Sequence, residues 1–344
     1  MPVTILVWNM EWMNDLFVPD SQAAAWRPDA EAPQHSSGTT VRERRNHLSG
    51  VLNDLHPDIV VGVEGPNRSG EFQLFFNDDV QGTWSCWIQP SPGQSQCVGV
   101  AVRTDTGRFQ NPAFNSFDTV QNPVFDPFLE DTDEDSVKEQ HSFERRPLYV
   151  EIRPQQGTAS RILGLHLKSK GIFNALEWSR WWTQSEGNRR KLLAQATHLR
   201  LAFIEPYLTD PATQNIPLIV CGDINDGPGL DAAEKRLFGS AVERLMGSVW
   251  RPHLALGNAV FDSLTAAKQA GLDFSDVATT SFKDPIFNNV YQREWIDHLL
   301  YSRQAQAGWV SNGLIRDTMP NGQKIWNAYR HASDHYPITA DITT

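Results

Sequence analysis

Short apolar runs rich in β-branched residues recur along the whole length of this 344-residue chain. Runs of this kind, bounded by polar or turn-forming residues, are typical of buried strands. The predicted strands are residues 4–8, 58–63, 97–102, 148–152, 162–167, 217–221, 295–301 and 336–342. Residues 41–55 and 189–208 instead carry apolar side chains at helical spacing. This mixture of strands and helices predicts an α/β or α+β fold.

The chain is predicted to form one domain that spans residues 1–344. No repeat is visible, and no Gly/Ser-rich or Pro-rich linker divides the sequence into two balanced halves. Two stretches have the polar composition of insertions or long loops, residues 19–40 and 104–143. The second stretch contains an acidic run at 130–135, which we interpret as a solvated segment.

Composition is that of a globular protein and not of a membrane protein. Hydrophobic residues make up 40% of the chain, yet no run of roughly 18 apolar residues exists that would span a bilayer. The N-terminal sequence lacks the features of a secretory signal. We therefore expect a cytoplasmic monomer, or a secreted or periplasmic protein if a signal peptide has been removed. Cys86, Cys97 and Cys221 lack metal-ligand spacing and are expected to be packing residues.

Polar residues cluster at the ends of the predicted strands. They are Asn9, Glu64, His166, Asp223, Asn225, Asp297, Asp334 and His335. If neighbouring strands bring these ends to one rim, carboxylates, carboxamides and imidazoles meet there. Oxygen donors of this kind suit Mg²⁺ or Mn²⁺, with Ca²⁺ as an alternative. A structural zinc site is disfavoured because neither Cys-x-x-Cys nor His-Glu-x-x-His occurs.

The segment Gly222-Asp223-Ile224-Asn225 places an acid and an amide two residues apart. On an extended backbone both side chains point to the same face, where they can orient a water and a phosphoryl oxygen together. Alone the pattern is weakly specific, because Gly-Asp-x-Asn is also common in turns.

Together with five other motifs, this segment resembles the endonuclease/exonuclease/phosphatase superfamily of DNase I-like enzymes. The motifs are Val7-Trp8-Asn9, Val63-Glu64, Leu165-His166-Leu167-Lys168-Ser169, Gly222-Asp223-Ile224-Asn225, Trp295-Ile296-Asp297-His298 and Ser333-Asp334-His335. Their order matches the family along nearly the whole chain. The resemblance implies a four-layer α/β sandwich, in which two mixed sheets pack face to face with helices outside. It also implies a metal-dependent phosphoric ester hydrolase.

The resemblance implies a role for each residue at the strand ends. Glu64 corresponds to the principal metal-binding carboxylate, with Asn9 and Asp334 as direct or water-mediated ligands. Asp223 is similar to the residue that orients or deprotonates the attacking water, and Asn225 to the residue that holds this water or a non-bridging oxygen. The other three implied roles belong to His166 and His335, which contact the scissile phosphate, and to Asp297, which hydrogen-bonds His335 and sets its tautomer and charge.

Other residues carry weaker signals. Arg145 and Arg146 resemble an arginine segment that touches substrate phosphate in DNase-like members, although surface salt bridges explain them equally well. Gln96 stands where those members place an acid beside the histidine equivalent to His166. Lys168 and Lys170 are interpreted first as exposed lysines. Local packing is the first interpretation of four aromatic residues, and the alternative is that they cover a pocket, stack a base or contact a lipid; they are Phe173, Trp178, Trp181 and Trp182. His298 and His331 are interpreted as histidines that support the neighbouring motif residues or as packing residues.

The leading interpretation is a phosphodiesterase that hydrolyses nucleic acid by water attack. The net charge of −11 opposes a broad basic surface for nucleic acid, although a bound cation offsets acidic ligands locally. A phosphoesterase acting on a small molecule, a phospholipid in the manner of a sphingomyelinase, or an inositol phosphate is the alternative. A non-catalytic binding protein is a remote alternative, because the whole set of motif residues is intact.

Overall fold

The computed structural model describes residues 2–19, 21–36, 38–93, 96–133, 135–172, 178–230, 232–237, 239–284, 290–303 and 307–343. The strands are β1 (Val3–Asn9), β2 (Ile59–Gly65), β3 (Trp84–Gln89), β4 (Cys97–Arg103), β5 (Phe109–Ser116), β6 (Phe128–Glu130), β7 (Glu139–His141), β8 (Leu148–Pro154), β9 (Ser160–His166), β10 (Leu218–Asp223), β11 (Leu256–Asn258), β12 (Thr280–Asp284), β13 (Val290–Glu294), β14 (Asp297–Ser302), β15 (Val310–Ile315) and β16 (Ile338–Ile342).

The α-helices are α1 (Val41–Leu55), α2 (Ser69–Asp78), α3 (Trp178–His198), α4 (Glu205–Thr209), α5 (Ala232–Arg236), α6 (Ala241–Met246), α7 (Ala259–Asp262), α8 (Ala266–Ala270) and α9 (Ile325–Ala328). A π-helical segment, Leu199–Ile204, connects α3 to α4 without a break. Among the described residues, no helix combines the length and apolar character needed to cross a bilayer.

Two six-stranded sheets form the centre of the fold. The first has the strand order β15-β16-β1-β2-β4-β3, and the second has the order β11-β14-β10-β9-β8-β5. Each sheet contains one parallel pair, β1 with β2 and β9 with β10, among antiparallel neighbours. Two short hairpins, β12-β13 and β6-β7, lie outside these sheets.

Alternate residues of the strands pack on opposite faces, which creates the four layers. Ile5 and Val7 of β1 join Ile219 of β10 in a core between the two sheets. Leu6 and Trp8 point the other way, into a core beneath α1 and α2. The outer face of the second sheet packs likewise against α3, the π-helical segment and α6. The expected four-layer α/β sandwich is therefore confirmed.

All eight strands predicted from the apolar runs are present in the structure. They correspond to β1, β2, β4, β8, β9, β10, β14 and β16. The predicted helix at 41–55 coincides with α1. The helix predicted at 189–208 begins earlier, at Trp178. Residues 179–183 of this extension are exposed, so the prediction found only the part of the helix that packs on the core.

The stretch 104–143, predicted to be a loop or insertion, contains the edge strand β5 and the hairpin β6-β7. β5 is mostly exposed, so its sequence does not show the apolar run of a buried strand. Within the acidic run, Asp133 forms an ion pair with Arg190, and Asp131 accepts a 2.9 Å hydrogen bond from the Ser136 N–H. These two carboxylates are therefore engaged by other residues of the protein; Glu134 lies outside the described residues.

Candidate active site

The predicted site residues lie at one edge that the two sheets share. The parallel pairs β1-β2 and β9-β10 end there with Asn9, Glu64, His166 and Asp223. Asp297 joins them because β14 runs antiparallel to β10 and pairs Asp297 with Asp223. The carboxyl ends of parallel strands are a common place for ligand sites in α/β proteins.

Asn9 connects the carboxylates of the two sheets. Its Nδ2 donates hydrogen bonds of 3.2 Å to Glu64 Oε1 and 3.0 Å to Asp223 Oδ2. Its Oδ1 accepts a 2.9 Å bond from the Glu11 N–H. The Trp12 N–H donates to the second Glu64 oxygen, Oε2, at 3.0 Å. The Asn9 amide therefore fixes both carboxylates, and the loop that follows β1 fixes the far side of Glu64.

Gly222 allows β10 to reach the edge with Asp223 correctly placed. Its φ is +128°, and a Cβ at this position would lie 2.0 Å from Leu165 O on the neighbouring strand. Only glycine tolerates both the backbone angle and the close approach. Asp223 then accepts a 2.9 Å bond from the Asn225 N–H, and Asn225 Nδ2 donates to Leu167 O at 3.1 Å.

Left-handed backbone conformations concentrate around this edge. Non-glycine residues with positive φ number eight in the described chain, and five of them line the cavity at the edge. These five are Glu11, Trp12, Glu64, Gln96 and Asn225. Glu64, with φ of 53°, lies at an irregularity in the pairing of β2 with β4. Such conformations cost about 1–3 kcal/mol each and persist where the surrounding structure holds a functional geometry.

His335 is held by three contacts around the last motif. Its Nδ1 lies 2.7 Å from Asp297 Oδ2, and its carbonyl accepts a 2.9 Å bond from Trp8 Nε1. Ser333 Oγ accepts from the His335 N–H at 3.0 Å and donates to Asn9 O at 2.7 Å. Ser333, which had no predicted role, therefore ties the His335 segment to the end of β1.

The segment Thr279-Thr280-Ser281, missed in the sequence, supports the same residues. Thr279 Oγ1 accepts hydrogen bonds from the N–H groups of Ile296 and Asp297, at 3.0 Å and 2.9 Å. Thr280 Oγ1 and the Ser281 N–H both donate to Asp334 O at 3.0 Å. These contacts join residues far apart in the chain, so no local sequence pattern predicts them.

Glu11 is the main site residue that sequence reasoning missed. Together with Glu64 and Asp334 it lines a cavity of about 810 Å³ at the edge. Burial raises the pKa of Glu11 to about 7, and the Asp334 and Glu64 carboxylates add to this effect. The buried Arg44 guanidinium donates to Met10 O and Glu11 O and holds this loop in place. The only available signal was an acid two residues after Asn9.

Burial and neighbouring charges also set the protonation of the other groups. Burial raises the pKa of Asp223 to about 7, and the Asp297 carboxylate adds to this shift. Burial opposes the charged form of His335, but the Asp297 and Asp334 carboxylates outweigh it and raise the pKa of His335 well above its usual value. Burial lowers the pKa of His166 well below its usual value, and Arg145 lowers it further.

The structure brings Arg145 to the cavity but not Arg146. Arg145 Nη2 donates to Leu167 O at 2.7 Å, and its buried Nε has no hydrogen-bond partner within the described chain. Arg146 Nη1 instead donates to the carbonyls of Thr119 and Phe125, at 3.0 Å and 3.4 Å, and its side chain lines a neighbouring pocket that Gln96 and Arg145 also line. Arg146 is thus held by the protein's own backbone, and its role as a substrate-binding residue stays a prediction.

Two lysines also line this cavity. Lys170 is half-buried and is held by ion pairs of 2.8 Å to Asp226 and 3.1 Å to Glu234, so it is not the exposed lysine expected. Lys168 lines the cavity, and burial, with Arg145 nearby, lowers its pKa.

The predicted aromatic cluster contributes no described residue to the lining of the cavity. Trp181 and Trp182 lie on α3, and neither lines the cavity. Phe173 and the side chain of Trp178 lie outside the described residues. His298 is a buried packing residue: its Nε2 bonds Asp226 O at 2.9 Å and its Nδ1 lies 3.2 Å from Asn258 Nδ2.

The residues present fit a hard divalent cation. Glu11, Glu64 and Asp334 present carboxylate oxygens to one cavity, and their mutual repulsion is part of what raises the pKa of Glu11. Carboxylate oxygens with no thiolate among them are the donors that Mg²⁺ and Mn²⁺ prefer. Asp223, Asp297 and His335 lie closer together, with one ligand atom of each within 4.8 Å of the others, whereas Glu11, Glu64 and Asp334 do not form so close a group among the described residues.

Solved structures with a similar fold cover almost the whole chain. TDP2 from Caenorhabditis elegans is 14% identical, with a TM-score of 0.51 over 100% of this chain and 75% of that one. The catalytic domain of human Nocturnin, solved with a bound sulfate anion, is 16% identical, with a TM-score of 0.51 over 99% of this chain and 93% of that one. No family model and no curated protein sequence matches the chain. At these identities the likeness establishes the fold.

Proposed function

Because the chain has the DNase I-like fold of the endonuclease/exonuclease/phosphatase superfamily, we propose that it is a divalent-metal-dependent phosphodiesterase acting on nucleic acid. The observation that carries the proposal is the edge shared by the two sheets. There a buried carboxylate, Asp223, lies beside the hydrogen-bonded pair His335 and Asp297, and a group of three carboxylates faces the same cavity.

Glu64, Glu11 and Asp334 are the residues that would hold the metal ion. When bound there, a divalent cation polarises a phosphoryl oxygen and neutralises charge that develops on it. Asn9 positions Glu64 through its amide nitrogen, and contact between Asn9 Oδ1 and the metal stays a prediction. Glu11 extends the predicted ligand set of Asn9, Glu64 and Asp334.

Asp223 is the proposed general base. A base works best when its pKa lies near the operating pH, and burial places the pKa of Asp223 at about 7. Its Oδ1 accepts from the Asn225 N–H and its Oδ2 from Asn9 Nδ2, so the carboxylate is fixed in direction. A water held at Asp223 loses its proton to the carboxylate as its oxygen bonds to phosphorus, the P–O bond on the opposite side breaks, and the leaving oxygen takes up a proton from solvent. Asn225 helps to position the attacking water.

His335 stabilises the charge on the phosphoryl oxygens. Asp297 binds Nδ1, which leaves Nε2 to face the cavity, and the neighbouring carboxylates keep the imidazole protonated. The proposed mechanism therefore places a fixed cation beside the general base. Such preorganised charge is commonly the largest contribution to catalysis.

His166 and Arg145 complete the phosphate-facing wall. The low pKa of His166 keeps its imidazole neutral, so it acts as a hydrogen-bonding group and not as a second cation. Arg145 supplies permanent charge beside it, and its unpaired Nε is available for an oxygen of the substrate. We propose that these two residues hold the non-bridging oxygens in line for attack.

The net charge of −11 favours a second candidate, a small phosphoester such as a lipid head group or an inositol phosphate. Such a substrate needs little basic surface, whereas long nucleic acid gains most of its affinity from lysine and arginine. The two candidates share the cleaved bond and the residues that cleave it. A panel of single- and double-stranded DNA, abasic DNA, RNA, sphingomyelin and inositol phosphates, assayed with Mg²⁺ and Mn²⁺, distinguishes them.

Hydrolysis of bis-p-nitrophenyl phosphate tests the reaction without assuming a natural substrate. We expect turnover that requires Mg²⁺ or Mn²⁺, stops with EDTA, and falls by about 10²- to 10⁴-fold in Asp223→Asn. Asp276→Asn changes an exposed acid outside the cavity and serves as the matched control. Wild-type rates in Asp223→Asn, with a normal thermal unfolding curve, would remove Asp223 from the mechanism. No turnover on any phosphoester would favour the non-catalytic binding protein.

A further inference from the structure

A second, larger cavity opens beside the active-site cavity. It has a volume of about 1230 Å³ and shares Glu11 and Asp334 with the active-site cavity. One wall is the hairpin β12-β13, which contributes Tyr291 and Arg293. The other is the segment 317–336, which contributes Trp326 and Arg330. We call this cavity, with the walls just described, the aromatic groove.

Trp326 is exposed yet firmly anchored. Half of it, 50%, is open to solvent, although it follows the buried Ile325. The Ile325 N–H donates to Asp317 O at 3.0 Å, and Tyr329 Oη donates to Asp54 of α1 at 2.7 Å. The indole ring lies 6.1 Å from the Tyr336 ring at 51°, so the two rings are not stacked. A large exposed aromatic side chain is therefore presented to the groove from a segment whose neighbouring residues are anchored.

The opposite wall is fixed to the catalytic segment. The Ser281 N–H donates to Asp334 O at 3.0 Å, and the Tyr336 N–H donates to Thr279 O at 2.6 Å. Tyr291 on this wall is 63% exposed. Both walls of the groove thus have a fixed position relative to Asp334 and His335.

Two exposed arginines line the groove without partners of their own. Within the described chain, neither the Arg293 nor the Arg330 guanidinium makes a hydrogen bond or an ion pair. Both are therefore available to an anion. They supply local positive charge on a protein whose net charge is −11.

We propose that the aromatic groove binds unpaired nucleotides of the substrate strand. In this proposal, which rests on the proposed nuclease function, a base stacks on Trp326 while Arg293 and Arg330 contact backbone phosphates. Stacking on an aromatic side chain requires a base face that is open, and in a duplex the neighbouring bases cover both faces. The groove therefore specifies single-stranded nucleic acid, or an unpaired end, as the substrate class.

The alternative is that Trp326 merely covers Tyr336. Single exposed apolar residues are common on protein surfaces. If Trp326 only covers Tyr336, its substitution changes the stability of the protein and affects the hydrolysis of all substrates equally. A stacking role predicts a loss that depends on whether the substrate carries bases beyond the scissile bond.

Steady-state kinetics of Trp326→Ala and Trp326→Phe with Mg²⁺ test the proposal. The substrates are a single-stranded oligonucleotide, as DNA and as RNA, the DNA annealed to its complement, and bis-p-nitrophenyl phosphate. We expect the wild type to prefer the single strands. Trp326→Ala should lower kcat/KM on them by on the order of 10-fold, mainly through KM. Trp326→Phe should retain most of the activity, and bis-p-nitrophenyl phosphate should be hydrolysed normally by both.

Trp250→Ala is the matched control, because Trp250 is 89% exposed and lies outside both cavities. Unchanged kcat/KM on single strands in Trp326→Ala would overturn the inference, as would equal losses in Trp250→Ala. Hydrolysis of bis-p-nitrophenyl phosphate without hydrolysis of any oligonucleotide would overturn the groove and the nuclease substrate but leave the phosphodiesterase chemistry. Absence of all hydrolysis would instead overturn the proposed function.

Salt dependence tests the two arginines separately. Arg293→Gln and Arg330→Gln should each reduce the slope of log KM against log salt for a single strand by about 0.7, one phosphate contact each. Lys268→Gln removes an exposed cation outside the groove and should leave the slope unchanged. Slopes equal to that of the wild type in all three variants would show that the two arginines do not contact backbone phosphates.

Discussion

The side-chain amide of Asn9, at the end of β1, donates a 3.0 Å hydrogen bond to Asp223, at the end of β10, and so joins the two sheets at their shared edge. The same nitrogen bonds Glu64, so one amide orients both the proposed general base and the proposed metal ligand. The positions of the proposed base and of the proposed metal ligand therefore both depend on Asn9.

Asn9→Ala tests this dependence. Loss of the amide frees both carboxylates, and we expect kcat/KM and Mg²⁺ affinity to fall together by on the order of 10- to 100-fold, as for other residues that orient ligands. Asn77→Ala, an exposed change on α2, is the control. A loss of kcat with unchanged half-saturation by Mg²⁺ would contradict the link to Glu64.

His335 and Asp297 are predicted to act as a unit. His335→Gln should lower kcat by about 10²- to 10⁴-fold, because the protonated imidazole is lost. Asp297→Asn should also lower kcat, because the 2.7 Å bond to a carboxylate stabilises the charged ring. The double variant should be no worse than His335→Gln alone, since effects within a unit are not additive. Additive losses would show that Asp297 acts independently of His335.

Substitution of Arg145 is predicted to lower catalytic activity, whereas substitution of Arg146 is predicted to lower stability. Arg145→Ala should lower kcat/KM by about 10²-fold with little effect on unfolding, because the Arg145 side chain lines the cavity. Arg146→Ala should instead lower the free energy of unfolding by about 1–3 kcal/mol, because two backbone carbonyls lose their donor. Urea unfolding and kinetics of both variants distinguish the roles. A loss of activity in Arg146→Ala together with a loss of stability in Arg145→Ala would show that Arg146 is the substrate-binding residue.

How far the sequence alone predicted this arrangement depends on the kind of contact. The apolar runs that end in Asn9, Glu64, His166 and Asp223 announce their strands locally, so the strand ends and their polar residues were predictable. Glu11 reaches the cavity only because the loop turns through left-handed conformations at 11 and 12, which no periodicity signals.

Two further features of the site depend on tertiary contacts in the same way. Arg145 and Arg146 are adjacent and chemically identical, and only the tertiary position of Leu167 and Thr119 separates them. Thr279 supports Asp297 from a segment 18 residues away in sequence. Hydrogen bonds between segments that are distant in sequence form only when the whole chain folds, so the local sequence does not predict them.

The buried His298 predicts how stability depends on pH. Burial lowers its pKa in the folded state below the usual 6.5, so the unfolded chain binds the proton more readily. Its contribution to stability is therefore complete above pH 6.5 and is lost as the pH falls below that value. Between pH 7.5 and pH 5.5 this one group costs up to about 1.4 kcal/mol.

Urea unfolding of the wild type and His298→Asn at the two pH values measures this contribution. The variant should be less stable at pH 7.5, because the bonds to Asp226 O and Asn258 are altered, but should lose less stability on acidification. An equal loss in both proteins would mean that His298 does not contribute to the pH dependence.

The central claim is that the shared edge holds a metal ion through Glu64 and uses it to hydrolyse a phosphodiester. The most direct test is the initial rate of bis-p-nitrophenyl phosphate hydrolysis against free Mg²⁺, in the wild type and in Glu64→Gln. We predict no rate without metal, saturation in the wild type, and a half-saturating concentration at least about 10-fold higher in the variant. A wild-type rate that persists in EDTA, or identical saturation curves for the two proteins, would contradict the claim.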